Sequence, residues 1–123
     1  MDAPTAVLLV DSITEAIGCG EDALVISGSH GGISAARFAL QAKVRLAVFN
    51  DAGVGRDEAG IAALALLQSH GIAACTVSHD SARIGEAGST YEDGVISHAN
   101  GAAAALGAAA GARLKDWLAT LSG

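Results

Sequence analysis

Aromatic residues are scarce, with Phe, Trp and Tyr together making up 3% of the 123 residues. A core must then be built from Val, Ile, Leu and Ala, packed closely between thin layers of secondary structure. Basic residues are scarce too: seven Lys and Arg stand against 13 Asp and Glu, for a formal net charge of -6. No Lys/Arg cluster and no interleaved aromatic platform is present to track a phosphate backbone, so nucleic acid is not an expected partner. Long apolar runs are missing as well. None reaches the roughly 18 residues that span a bilayer, and the N-terminus lacks the basic, apolar, small-residue succession of an export signal. The expectation is a cytoplasmic protein that makes no membrane contact.

Cysteine is limited to Cys19 and Cys75, without C-x-x-C or another metal-ligand spacing, and the pair is expected to stay reduced. Cys75 lies inside an apolar run and reads as a small buried hydrophobe rather than a catalytic thiol. Cys19 sits in a turn between Gly18 and Gly20, where nothing supports a reactive role.

Aliphatic residues are abundant: 51% of the chain is hydrophobic, enough for the core of one α/β domain spanning residues 1–123. Four apolar runs recur, Ala6 to Val10, Ala23 to Ile26, Val44 to Phe49 and Ile72 to Val77. They are nearly continuous rather than alternating, which suits parallel strands buried on both faces. Helical signals lie between them. Ser12 and Glu15 form a capping box that Gly18 or Gly20 would close; Ile33, Ala36 and Leu40 share one helical face, as do Ile61 and Leu64 before Gly71. The order β-α-β-α-β-α-β with right-handed crossovers predicts a four-stranded parallel sheet in a three-layer, flavodoxin-like or Rossmann-like layout.

Beyond the fourth run, Ser89 and Glu92 make a second capping-box pattern, predicting a helix toward Leu106 and Gly107. On it Tyr91, Val95 and His98 share a face, while Asn100 points nearly the other way and serves as a cap or a contact. Leu114, Trp117, Leu118 and Leu121 repeat at i, i+3, i+4 and i+7 and predict an amphipathic C-terminal helix. That helix and the Ala/Gly-rich stretch before it offer more apolar surface than one thin layer buries, so a homo-oligomer is expected.

Each apolar run ends in polar residues: Asp11 and Ser12; Ser27, Ser29 and His30; Asn50 and Asp51; Ser78, His79, Asp80, Ser81 and Arg83. Parallel strands place these bursts along one sheet edge, where small-molecule sites form. Ser, Asp and Asn are also the favoured helix caps, a plain structural use for many of them. The Ser27–Gly32 loop, with Gly31 and Gly32 opening a helix, can turn N–H groups toward an anion. It fits neither G-x-G-x-x-G nor the P-loop. Its His-Gly-Gly triplet resembles the oxyanion loop of α/β-hydrolases, but the chain lacks their G-x-S-x-G elbow and is too short for that fold.

The sequence therefore points to an enzyme acting on a small polar, anionic substrate by hydrolysis or by proton-transfer chemistry such as elimination or isomerisation. His79 and His30 would move protons, Asp51 would orient one of them or bind a hydroxyl, and Ser29 would be the nucleophile of the hydrolytic version. Arg83 would clamp the anionic end, with Asp11, Ser12, Ser27, Gly31, Gly32, Asn50, Asp80 and Ser81 as further binding residues. The other use of His30 and His79, with Asp51 or Asp80, is a two-histidine, one-carboxylate metal site, but no local ligand spacing supports it, and no cofactor is identified. The rival readings are a non-catalytic effector-binding or accessory subunit that uses the same crevice, and a structural oligomer whose polar edge only caps helices.

Overall fold

The four apolar runs become four parallel strands in the computed structural model, which describes residues 6–122. They are β1 (Val7–Val10), β2 (Leu24–His30), β3 (Leu46–Asn50) and β4 (Ala73–Val77). Every residue of β3 and β4 is buried, as unbroken apolar sequence requires of central strands. The helices are α1 (Ile33–Ala42), α2 (Ala62–Ser69), α3 (Ala87–Asp93), α4 (Gly101–Ala105) and α5 (Leu114–Ser122), with 3-10 turns at Ile13–Ala16 and Arg56–Ile61. None is long and apolar enough to cross a membrane.

A fifth strand, β5 (Ile96–Ala99), pairs antiparallel with β4 and completes the sheet in the order β1-β2-β3-β4-β5 among the described residues. This corrects the expected four strands, and it breaks the helix expected from Ser89 to Leu106. Gly94 ends α3 in an extended conformation, and a side chain there would meet the Thr90 carbonyl and the Val77 side chain. The free edge of β4 then supplies backbone partners that outweigh local helix propensity. The Ser89–Glu92 capping box is absent too. Glu86 occupies the N-cap position of α3, and the Ser89 hydroxyl accepts from the Arg83 N–H at 2.9 Å.

The strands lie in chain order, without the reversal that defines flavodoxin-like and Rossmann-like sheets. Right-handed crossovers between strands laid down in one direction put every connection on the same face. Accordingly, the first 3-10 turn, α1 and α2 share one core cluster with Val25, Ala47, Phe49 and Ala74. The opposite faces of the same strands, including Ile26, Val48, Cys75 and Val77, pack against Ala103, Leu114, Trp117 and Leu118. The three layers stand, but without a central switch-point crevice.

The buried stripe of α1 is Ala35, Ala36, Ala39 and Ala42, while Ile33 is 42% exposed. Small side chains let this helix approach the sheet closely, which a stripe through Ile33 would not. Leu114, Trp117 and Leu118 of α5 are buried against the same chain, so that amphipathic face no longer calls for a second subunit. Asn100 caps α4: its Oδ1 accepts from Ala103 N and Ala74 N, and its Nδ2 donates to Leu64 O and Ile72 O.

Candidate functional site

The four polar bursts do lie along one edge, at the C-terminal ends of β1 to β4, but the structure employs them differently. Near β1 and β2, contacts with backbone groups, some local and some long-range, absorb them. Ser12 closes the expected capping box with Glu15. Asp11 accepts the first N–H of α3, from Ala87, at 2.9 Å. The fully buried Ser27 hydroxyl donates to Val48 O at 2.7 Å, and Ser29 Oγ accepts from Ile13 N at 2.9 Å. The Gly31 N–H donates to Asn50 O and the Gly32 N–H to His30 O, so neither is left for an anion. His30 ends β2 beside Asn50, is exposed, and has its ring near Gly32.

The loop after β3 is shaped by Asx turns. Asn50 Oδ1 accepts from Ala52 N and Asp51 Oδ1 from Gly53 N, both at 2.8 Å. Ala52, Gly53, Val54 and Gly55 follow with positive φ, which is costly for a β-branched residue such as Val54. Hydrogen bonds from Val54 N to Asp51 O and from Gly60 N to Val54 O hold this turn closed. Gly60 is required there, because a Cβ would collide with the Asp51 carbonyl oxygen. The Asn50 side chain is fully buried, and its Nδ2 donates to Ala82 O, tying this loop to the one after β4.

Asp51 is the electrostatic centre of the edge. Its side chain is only 6% exposed, and Oδ1 accepts from His79 N at 3.1 Å and lies 3.3 Å from His79 Nδ1. Burial pushes the Asp51 carboxyl up, but the Gly53 N–H, the Ser97 hydroxyl, and the N–H and ring of His79 outweigh it and hold the carboxyl below its ordinary value. An ionised carboxylate only accepts, so in the contact with Asp51 His79 Nδ1 is the donor, and Nε2 is the ring nitrogen turned away from Asp51. Nε2 lies 3.2 Å from Asp80 Oδ1, whose side chain is 86% exposed and free to move aside.

His79 and Asp80 open onto a hollow of about 540 Å³ that Asn50, Arg83, Ser89 and Asp93 also line. Arg83 is exposed, and among the described residues no hydrogen bond or ion pair engages its guanidinium. Ser81 reaches the hollow too, but its hydroxyl donates to Ser78 O and accepts from Val95 N. The structure thus brings His79, Asp51, Asp80, Arg83, Asn50 and Ser81 together. Asp11, Ser12, Ser27, Ser29, His30, Gly31 and Gly32 do not line this hollow.

Ser89, Asp93 and Ser97 were not singled out for the site from sequence. Ser89 and Asp93 stand four apart, one turn on α3, a spacing that indicates a shared face only once the helix is placed. Ser97 reaches Asp51 from β5, where a helix had been expected. His98 is on β5 as well, with a buried Nδ1 that has no hydrogen-bond partner among the described residues.

No group of three or more His, Cys, Asp or Glu positioned to hold a metal occurs among the described residues. Cys75 is fully buried, and desolvation pushes its thiol up to about 12, which suits the hydrophobe reading. Cys19 is exposed, with Sγ on Glu15 O. Compared with known protein families, curated proteins and solved structures, the chain matches none.

Proposed function

We propose that this protein is an enzyme that moves a proton on a small polar substrate carrying an anionic group, with His79 as general base or acid and Arg83 as the anchor. The observation that carries this reading is the Asp51–His79 pair at the mouth of a hollow that also holds an unengaged guanidinium. The buried Asp51 carboxylate fixes the ring orientation and tautomer, the role a carboxylate plays behind a catalytic histidine. Arg83 offers a planar fork for a carboxylate or phosphate, and it would set the distance from that group to His79 Nε2.

Ser29 is bonded to Ile13 N and stands outside the hollow, which favours elimination or isomerisation over serine-based hydrolysis. The experiment is proton exchange in deuterated water, followed by NMR at carbons next to the acidic group in a panel of small carboxylates and phosphates. The expected result is exchange that needs the protein, falls about a hundredfold or more in His79→Ala, and falls less in Asp51→Asn. Full exchange in His79→Ala would remove the assignment. Binding without exchange by any member of the panel would leave an effector-binding module instead.

A further inference from the structure

The hollow beside His79 continues into a second one of about 390 Å³, and Arg83, Ser89 and Asp93 line both. Ser89 and Asp93 stand at i and i+4 on α3 and line both hollows, while Glu86, the N-cap residue just before the helix, lines only the second. The Arg83 N–H donates to Ser89 Oγ at 2.9 Å, and that hydroxyl donates to Asp93 Oδ2 at 3.5 Å, which links the arginine backbone to the Asp93 end of the helix. Its guanidinium is exposed, lines the same hollows as these carboxylates, and has no hydrogen bond or ion pair among the described residues.

The charge around the groove is the deciding feature. Its walls hold Asp80, Glu86, Glu92 and Asp93 against Arg83. Lys115 occupies Glu92 at 2.9 Å from Oε2, which among the described residues leaves Asp80, Glu86 and Asp93 without a basic side chain, apart from the His79 contact to Asp80. A purely anionic ligand would gain the guanidinium but meet an excess of negative charge within about a Debye length, roughly 8 Å at physiological salt. A purely cationic ligand would meet Arg83. A molecule bearing both charges satisfies both walls.

We infer that the ligand of this groove is a small zwitterion, its carboxylate on Arg83 and its ammonium on the α3 carboxylates, chiefly Asp93. The inference rests on reading the hollow as the substrate site, and it narrows the substrate from an anion to an amino-acid-like molecule. It also orients the ligand. With the carboxylate clamped by Arg83 and the ammonium drawn toward Asp93, the ligand lies along the two residues that line both hollows, and His79 lines the first of these.

The test is an NMR titration of the folded chain with 4-aminobutyrate, butyrate and butylamine, and with L-alanine, propionate and ethylamine. It reads the Arg83 side-chain N–H, the Ser89 and Asp93 amides and the His79 ring. At least one zwitterion should bind about tenfold or more tightly than either of its single-charge analogues, each lost ionic contact accounting for about that factor. Asp93→Asn should abolish its advantage over the carboxylate alone, and Arg83→Gln its advantage over the amine alone. Asp93 ends α3, where removing a negative charge does not endanger the helix, so the first variant stays folded. Carboxylates that bind as well as their zwitterions would overturn the inference and leave the anionic-substrate reading standing. Amines that bind as well would overturn it and also remove Arg83 as an anchor. If none of the six probes moved these resonances at the highest soluble concentration, the inference and the site would fall together.

Discussion

At the β1–β2 end of the sheet edge, Asp11, Ser12, Ser27 and Ser29 each bond a backbone group, and the segments they join are fixed by those bonds. At the β3–β4 end Asn50 and Asp51 also bond backbone, yet Asp51 holds His79 in addition, and Arg83 is left unengaged among the described residues. The residue types are similar in the two regions. The difference is that a short hydroxyl or carboxylate within a tightly packed corner finds an N–H or C=O, whereas an exposed imidazole and a long guanidinium beside an open hollow do not. Polarity at a strand end is thus weak evidence for function. Unsatisfied polarity beside a hollow is stronger.

The largest expected effect is in the wall between the regions. Gly60→Ala places a methyl group on the Asp51 carbonyl and should cost more than about 3 kcal/mol or prevent folding, read by urea denaturation. A near-neutral result would mean that the loop around Val54 yields, and that the rigidity ascribed to the second region is false. Next, Asp51→Ala should lose about 2 to 3 kcal/mol, because the Gly53 and His79 N–H groups lose their acceptor.

The pH dependence follows from the same carboxylate. Its folded value lies below the ordinary 3.8, so its contribution is complete above that pH and is lost as the pH falls through the folded value. The stability gap between the wild type and Asp51→Asn should therefore be constant from neutral pH to about 5 and shrink below about 4. A gap that widens in acid would reverse the sign assigned to Asp51.

Smaller effects sharpen the contrast. Ser29→Ala should cost about 1 kcal/mol through the Ile13 N–H it leaves without its acceptor, with no change in ligand affinity. An affinity loss there would return the first region to the site. Arg83→Ala should change stability by less than about 0.5 kcal/mol and weaken ligand binding about tenfold or more. Calorimetric melting paired with the ligand titration separates these outcomes, and a stability loss without an affinity loss would move Arg83 into the scaffold.

The strands were legible because burial on both faces needs continuous aliphatic sequence, and β3 and β4 show it. The Ser12–Glu15 box and the Leu114–Leu121 stripe were legible for a similar reason, since their partners lie three or four residues apart. Of the candidate site, His79, Asp51 and Arg83 were legible as residues that follow strands, and their neighbours Ser89, Asp93 and Ser97 were not. The alanine stripe of α1 was misread because side-chain size, not hydrophobicity, set the inward face. β5 was misread because the edge of β4 decides it, and that edge exists only once the sheet is assembled.

The sequence by itself determined the α/β class, the parallel strands and the edge along which polar side chains gather. All three are read from the period of the apolar residues along the chain and from the polar types that follow each apolar run. Only the tertiary structure decided which of those side chains remain free. Asp11 meets the Ala87 N–H across 76 residues, Ser27 meets Val48 across 21 and Asn50 meets Ala82 across 32. Partners that distant are brought together by packing, so no local pattern records whether a polar group has found one.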